Sequence, residues 1–134
     1  MIVDLDCTLA FGATLVDKSD DRARRRFLSD VRKHIDRLQD PRVVFFRPDV
    51  FNKVVAKPTT RDEDGNYAYN MELSMTAHMK LKVTRSKDKD KWYTNTQQTF
   101  DKVVTQWMCS GIFTHAVLDA ENSRFTIEKY NEEV

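Results

Sequence analysis

The sequence predicts a single α+β domain in which a mainly antiparallel sheet carries two amphipathic helices on one face. Three observations indicate this fold class. Residues 67–83 alternate between apolar and polar side chains, as expected for an antiparallel strand with one buried face. Two other segments repeat apolar residues at helical spacing, and 134 residues suit one hydrophobic core. The predicted order of elements is β-α-β-β-β-α-β-β.

The first predicted strand spans residues 3–11, where apolar side chains at odd positions alternate with mainly polar side chains at even positions. Gly12 interrupts this alternation, and residues 13–16 could continue the strand beyond a β-bulge. We therefore expect a half-buried strand whose apolar face points toward the core.

The first predicted helix spans residues 20–39. Ser19 is a favourable N-cap, and the two aspartates that follow place negative charge in the first turn, where it suits the helix dipole. The pair Asp40-Pro41 ends the helix, because proline disfavours the helical conformation of the residue before it. The apolar residues that recur at helical spacing are Phe27, Leu28, Val31, Ile35 and Leu38.

The middle of the chain predicts two short strands, at residues 42–47 and 50–57. Pro48 separates them, and proline favours a sheet edge or a bend. The polar loop at residues 57–66 contains Asp64-Gly65, a pair that is typical of a tight turn. We expect this region to connect the first helix to the long alternating strand through two edge strands.

The last part of the chain begins with a predicted charged turn at residues 85–91. A second amphipathic helix is expected from about residue 95 to residue 110, with Gly111 as its C-cap. Residues 112–118 and 124–130 then predict a closing hairpin. The apolar residues that mark the second helix are Phe100, Val103, Val104, Trp107 and Met108.

Composition limits the possible functions. The 22 basic and 21 acidic side chains nearly balance, so any electrostatic function depends on local clusters. No run of 18 apolar residues predicts a membrane span, and Cys7 and Cys109 are expected to be reduced thiols of a cytoplasmic protein. The histidines and cysteines lack zinc-ligand spacing, and three glycines form no phosphate-binding pattern, so we expect no metal or cofactor.

The segment at residues 2–9, Ile-Val-Asp-Leu-Asp-Cys-Thr-Leu, resembles the first motif of the haloacid-dehalogenase-like phosphatases, an apolar strand ending in Asp-x-Asp-x-Thr. The resemblance implies Asp4 as the nucleophile, Asp6 as the general acid/base and Mg²⁺ between these carboxylates and a phosphate. Thr84 and Asp119, each after a later predicted strand, match further positions of that family's site. The other interpretation is that both aspartates belong to the solvent-facing side of the first strand.

The first predicted helix also concentrates positive charge. Its basic residues are mostly arginines, whose planar guanidinium groups suit bidentate contacts to phosphates or carboxylates. Three interpretations stay open: nucleic-acid binding, a solvated face with local ion pairs, or salt bridges to an acidic patch of a neighbouring subunit, such as residues 62–64 or Glu132-Glu133. The basic residues of this helix are Arg22, Arg24, Arg25, Arg26, Arg32, Lys33 and Arg37.

The length of the strand at residues 67–83 suggests self-association. At about 3.3 Å per residue it spans roughly 56 Å, whereas a compact domain of this size is only about 36 Å across. The strand must then bend at a bulge or project as an arm. An arm would expose the apolar stripe of Tyr67, Tyr69 and Met71, which a partner would have to cover.

We therefore expect a non-catalytic assembly protein, a homo-oligomeric subunit of a ring or a virion. The order of elements resembles that of small phage tail-terminator or connector subunits, which implies a location in the cytoplasm or in a virion. A Mg²⁺-dependent phosphatase and a nucleic-acid-binding module that uses residues 20–39 are the alternatives.

Overall fold

A computed structural model describes residues 1–49, 53–110 and 113–133, with the backbone alone at residues 132 and 133. The α+β prediction is confirmed, because a six-stranded antiparallel sheet carries two helices. Residues 50–52 of the second predicted edge strand, the predicted cap Gly111 and residue 112 lie outside the described part. The elements in chain order are β1 (Ile2–Asp17), α1 (Asp20–Asp36), β2 (Val43–Pro48), β3 (Val55–Arg61), β4 (Tyr67–Lys82), α2 (Lys89–Met108), β5 (Val117–Leu118) and β6 (Arg124–Glu133).

Two long strands form the centre of the sheet. β1 and β4 pair antiparallel along their full length, from Ile2 opposite Lys82 to Asp17 opposite Tyr67, without a register shift. The other side of β4 pairs first with β3 and then with β2, and the other side of β1 pairs with β6 and β5. Each edge is therefore built from two short strands, whereas the middle of the sheet is continuous.

One face of the sheet is covered by the helices and the other is open. Odd-numbered side chains of β1 and β4 are buried, apart from the half-buried Tyr67. The ring of Phe11 lies 6.0 Å from that of His34 in α1 and 5.9 Å from that of Trp107 in α2. Even-numbered side chains are exposed or half-buried, apart from Gly12. An odd or even position in the sequence therefore indicates whether almost any residue of these two strands faces the core or the solvent.

The pairing of β4 corrects the expectation of a projecting arm. Its 16 residues still span about 53 Å. The strand neither bulges against β1 nor projects, because β1 has the same length and accompanies it throughout. Tyr69 and Met71 are only 4% and 1% exposed, and Tyr67 is half-buried. The prediction that this end of the strand presents an apolar stripe to a partner is wrong.

Two element boundaries move because of local contacts. α2 begins earlier than predicted, within the expected charged turn, because the side chain of Asp88 accepts a hydrogen bond from the backbone N–H of Asp90 and caps the helix. Trp92, in the first turns of α2, also packs against the core. β3 continues through Arg61 into the predicted loop, where it pairs with the start of β4.

Smaller corrections concern β1, α1 and β5. β1 runs through Gly12 without the bulge that the sequence suggested, and a Cβ atom there would lie 2.6 Å from the carbonyl oxygen of Asn122. α1 ends at Asp36 rather than at residue 39. The first strand of the predicted hairpin is reduced to β5, because residues 114–116 are hydrogen-bonded to Asp30.

Asp30 fixes the segment that precedes β5. Its fully buried carboxylate accepts hydrogen bonds from the backbone N–H groups of His115 and Ala116, each at 2.8 Å, and from the hydroxyl group of Thr114 at 2.9 Å. Burial alone would raise the pKa of Asp30, but these hydrogen bonds together outweigh burial and hold the pKa below its usual value. A buried charged group therefore ties α1 to a distant part of the chain.

The two cysteines are free thiols. Cys7 is buried on the odd-numbered face of β1, where burial raises its pKa to about 12, so its reactive thiolate form is suppressed. Cys109 is exposed at the end of α2. Across the described ranges, no helix combines the length and the apolar character that crossing a bilayer requires.

Candidate functional site

The exposed side of α1 carries its arginines. The helix buries Ala23, Phe27 and Val31 against the sheet, whereas its arginines are exposed or half-buried. Ser19 begins the helix as predicted, and its hydroxyl group accepts a hydrogen bond from the backbone N–H of Arg22 at 3.3 Å. The arginine side is therefore held on a regular, capped helix.

A buried carboxylate positions two of these arginines. Asp17, at the end of β1, is 4% exposed, and its oxygens lie 3.3 Å from Nε of Arg22 and 3.4 Å from Nε of Arg26. The backbone N–H of Lys18 donates to the same carboxylate at 2.7 Å. Both contacts to arginine use the inner Nε atom, so the outer nitrogens of the two guanidinium groups keep donors for other acceptors.

The other arginines near the start of α1 differ in their partners. Arg24 lies 3.5 Å from Asp20 and 3.9 Å from Asp21, in exposed pairs within the helix that contribute little stability. Arg25 is exposed, and no acidic side chain in the described part of the chain forms an ion pair with it. Arg25 is therefore available to an anion from outside the chain.

These side chains surround a shallow surface hollow of about 340 Å³, which we call the arginine hollow. The residues that line it are Arg22, Arg25, Arg26, Ser29 and His115. The backbone N–H of His115 donates a hydrogen bond to Asp30, which fixes the position of this residue. Asp17 fixes the positions of two of the arginines. Three guanidinium groups and a hydroxyl group in one hollow can bind a carboxylate or a phosphate through several charge-assisted hydrogen bonds.

The remaining predicted interaction residues lie elsewhere. Arg32 and Lys33 are exposed about two turns further along α1 and do not line the hollow. Tyr69 and Met71 belong to the core on the covered face of the sheet. Tyr67 is half-buried at the start of β4, opposite Asp17, and does not line the hollow; the guanidinium carbon of Arg61 lies 5.5 Å from its ring centre. Of the predicted interaction residues, the structure brings Arg22, Arg25 and Arg26 together in the hollow.

Asp4 and Asp6 meet a histidine on the open face of the sheet. Oδ1 of Asp4 lies 2.7 Å from Nε2 of His78, and Oδ1 of Asp6 lies 2.8 Å from Nδ1 of the same ring. The hydrogen bond with His78 is the main cause that lowers the pKa of Asp6. Both ring nitrogens donate only when the imidazole carries two protons, so the imidazolium form satisfies both carboxylates.

This histidine pairing was not predicted from the sequence. The even parity of positions 6 and 78 places both side chains on the open face, but only the β1–β4 register makes them opposite neighbours. Arg47 in β2 and Lys129 in β6 continue the same row. Within this row Asp6 lies between His78 and Lys129, and cross-strand pairs of opposite charge stabilise a sheet.

The residues implied by the phosphatase resemblance are not brought together. The backbone N–H of Asp119 donates to Gly12, eight residues along β1 from Asp4 and thus about 26 Å away. Thr84 follows β4 at the end of the sheet opposite to Asp119, and its carbonyl oxygen accepts a hydrogen bond from the side chain of Asn95. Within the described ranges, no group of three or more His, Cys, Asp or Glu side chains is placed to hold a metal ion.

Comparison with known proteins gives no relative from which a role could be transferred. No family model, no curated protein sequence and no solved structure matches this chain. A function for the protein therefore has to be inferred from the chemistry of its own surfaces. The arginine hollow is a surface where positive charge is concentrated and where Arg25 has no acidic partner among the described residues.

Proposed function

We propose that the protein is a non-catalytic assembly subunit that forms a homo-oligomer, in which the arginine hollow of one copy receives an acidic segment of the next copy. The single observation that carries this proposal is the exposed, unpaired Arg25 between two arginines that the buried Asp17 holds in place. Guanidinium groups stay protonated at physiological pH, so the hollow suits binding better than proton transfer.

The turn between β3 and β4 is the acidic segment that fits best. Oδ1 of Asp62 accepts hydrogen bonds from the backbone N–H groups of Asp64 at 3.0 Å and Asn66 at 2.8 Å, and Gly65 takes the positive φ of +84° that the turn requires. The carboxylates of Glu63 and Asp64 have no ion-pair partner among the described residues. Two acidic groups therefore stand at an exposed, internally braced tip.

A contact between a hollow and a tip joins two different surfaces. Such a heterologous interface repeats head to tail, and it closes into a ring when the rotation between copies allows it. The proposal thus retains the ring or virion class of assembly that the order of elements suggested, but it assigns the contact to α1 and the β3–β4 turn instead of to the end of β4.

Charge reversal at both surfaces tests the proposal. Arg25→Glu should reduce the wild-type oligomer to monomer, and so should the double variant Glu63→Arg with Asp64→Arg, because each places like charges in contact. An equimolar mixture of the two variants should then form a complex through one restored interface. Analytical ultracentrifugation measures all three states.

A matched control separates a specific contact from a general charge effect. Lys102→Glu changes an exposed residue of α2 outside the hollow by the same charge, so its oligomeric state should equal that of the wild type. The proposal fails if the Arg25→Glu protein assembles as the wild type does. It also fails if a wild-type monomer instead binds a 20-base-pair DNA duplex with an affinity that Arg25→Glu abolishes, which would favour the nucleic-acid alternative.

A further inference from the structure

A second hollow, of about 380 Å³, lies between the start of α2 and the end of β6. It shares no residue with the arginine hollow, and the assembly proposal does not use it. Three aromatic side chains contribute to its lining, Trp92, Tyr93 and Tyr130. We call it the aromatic hollow. Its other lining residues are Ser86, Lys87, Lys89 and Asn131.

The three rings form one cluster. Their centres are 4.5 Å apart for Trp92 and Tyr93, 4.9 Å for Tyr93 and Tyr130, and 5.7 Å for Trp92 and Tyr130. Trp92 and Tyr130 pack against the core, yet all three side chains are only half-buried. Part of the aromatic surface therefore stays accessible, and such a surface can stack against a planar ring.

The indole N–H of Trp92 lacks a partner. Its nitrogen is buried, and no hydrogen-bond acceptor within the described residues reaches it. A buried donor without an acceptor is uncommon in folded proteins, because the unsatisfied group loses its hydrogen bond to water.

Positive charge adjoins the rings. Lys87 and Lys89 are exposed, and neither forms an ion pair within the described ranges. The ammonium nitrogen of Lys89 lies 5.9 Å from the ring centre of Tyr93. Burial, and after it Asp101, raises the pKa of Tyr130, so this phenol stays neutral and adds no negative charge. The hollow therefore pairs a stacking surface with groups that attract an anion.

We propose that the aromatic hollow binds a nucleotide unit, with its base against the aromatic rings and its phosphate group near Lys87 and Lys89. Aromatic stacking combined with basic side chains is the chemistry by which proteins hold unpaired nucleotides. A free nucleotide and one residue of a single-stranded nucleic acid offer this same chemistry, and the experiment below separates the two sources.

Fluorescence titration tests the proposal directly, because Trp92 lines the hollow whereas the other tryptophan, Trp107, is only 4% exposed. AMP should quench the emission in a saturable way, with a Kd below about 1 mM. Adenosine and ribose 5-phosphate should each bind at least about tenfold more weakly, because each lacks one half of the recognised unit. An octamer of deoxyadenylate that binds at least about tenfold tighter than AMP identifies the single strand as the source, and equal affinity identifies the free nucleotide.

Two variants locate the site. Tyr93→Leu keeps an apolar side chain but removes one stacking ring, and it should weaken binding about five- to 150-fold. The double variant Lys87→Glu with Lys89→Glu should weaken AMP binding at least about tenfold at low salt. It should also make the affinity less dependent on the salt concentration. Both changes lie at half-buried or exposed positions, and the lysine variant decides the question if Tyr93→Leu unfolds.

A control variant tests whether these effects are specific to the aromatic hollow. Lys102→Glu should leave AMP binding unchanged, because Lys102 lines neither hollow. The proposal is overturned if neither AMP at about 10 mM nor the octamer gives saturable quenching. It is equally overturned if binding survives the lysine variant unchanged or is lost in Arg25→Glu.

Discussion

The covered face and the open face of the sheet hold charged groups in different ways. On the covered side, Asp30 is fully buried and surrounded by hydrogen-bond donors, and the ring of His34 stacks on Trp107 at 4.4 Å. On the open side, Asp4 and Asp6 share one imidazole at positions that water reaches. Polar groups on the covered side therefore maintain the fold, whereas those on the open side can change at small cost.

The largest expected effect comes from a charge at a buried position of β4. Leu73 is 2% exposed and pairs with Phe11, so Leu73→Asp would bury an unpaired carboxylate and should lower the free energy of unfolding by at least about 4 kcal/mol. Ser74→Asp, one residue further along, points to the open face and should cost about 0.5 kcal/mol or less. Urea unfolding measures both, and equal losses would contradict the assignment of the two faces.

Removing the buried carboxylate of α1 should have the next largest effect. Asp30→Leu leaves the backbone N–H groups of His115 and Ala116 buried without an acceptor, so the free energy of unfolding should fall by about 3 kcal/mol or more. Asp36→Asn is the matched control, because Asp36 is exposed in the last turn of the same helix, where a negative charge is unfavourable. A loss below about 1 kcal/mol for Asp30→Leu would show that water replaces the carboxylate.

The buried histidine predicts a pH dependence. Burial lowers the pKa of His34 from 6.5 to about 4. Between these values the unfolded chain binds a proton that the folded chain does not, so the free energy of unfolding falls by about 1.4 kcal/mol per pH unit as the pH drops below 6.5. From pH 7 to pH 5 this contribution amounts to about 2 kcal/mol.

Comparison of the wild type with His34→Phe isolates this contribution. The variant lacks the titrating ring, so its free energy of unfolding should change less between pH 7 and pH 5, by the same amount of about 2 kcal/mol. Chemical denaturation at the two pH values measures the difference. Equal pH dependence in both proteins would mean that His34 binds its proton equally well in the folded and unfolded states, which would contradict the lowered pKa.

The smallest effect is expected on the open face. Asp6 is half exposed, and its hydrogen bond to His78 lowers its pKa, so its stabilisation is present above the usual carboxyl pKa of 3.8 and is lost as the pH falls through the lowered value. At pH 7, Asp6→Asn should therefore cost less than about 1 kcal/mol. A thermal melt that shows a loss as large as that of Asp30→Leu would mean that the open face is covered in solution.

Sequence patterns predicted the parts of this fold that local periodicity encodes. Alternation in residues 67–83 assigned the buried and open faces of β4, and Ser19 marked the start of α1. The early start of α2 was not predicted, because it depends on the cap at Asp88 and on Trp92 packing against a core that local spacing does not show. The short β5 has a similar cause, since Asp30 binds residues far along the chain.

The candidate sites were only partly predictable for the same reason. The arginines of α1 are visible in the sequence. Which of them pair with Asp17, and that Arg25 does not, becomes apparent only in the folded structure. The aromatic hollow combines Trp92 and Tyr93 with Tyr130, and no sequence spacing connects these two segments. The arm that strand length suggested does not exist, because a second strand of equal length was not foreseen beside it.

The proposed self-association through the arginine hollow is tested most directly by the mass of the wild-type protein in solution. Light scattering coupled to size exclusion, at loading concentrations from about 1 to 100 µM, should give a multiple of the chain mass that falls to one chain in Arg25→Glu and stays unchanged in Lys102→Glu. A wild-type mass of one chain at every concentration would contradict homo-oligomeric assembly.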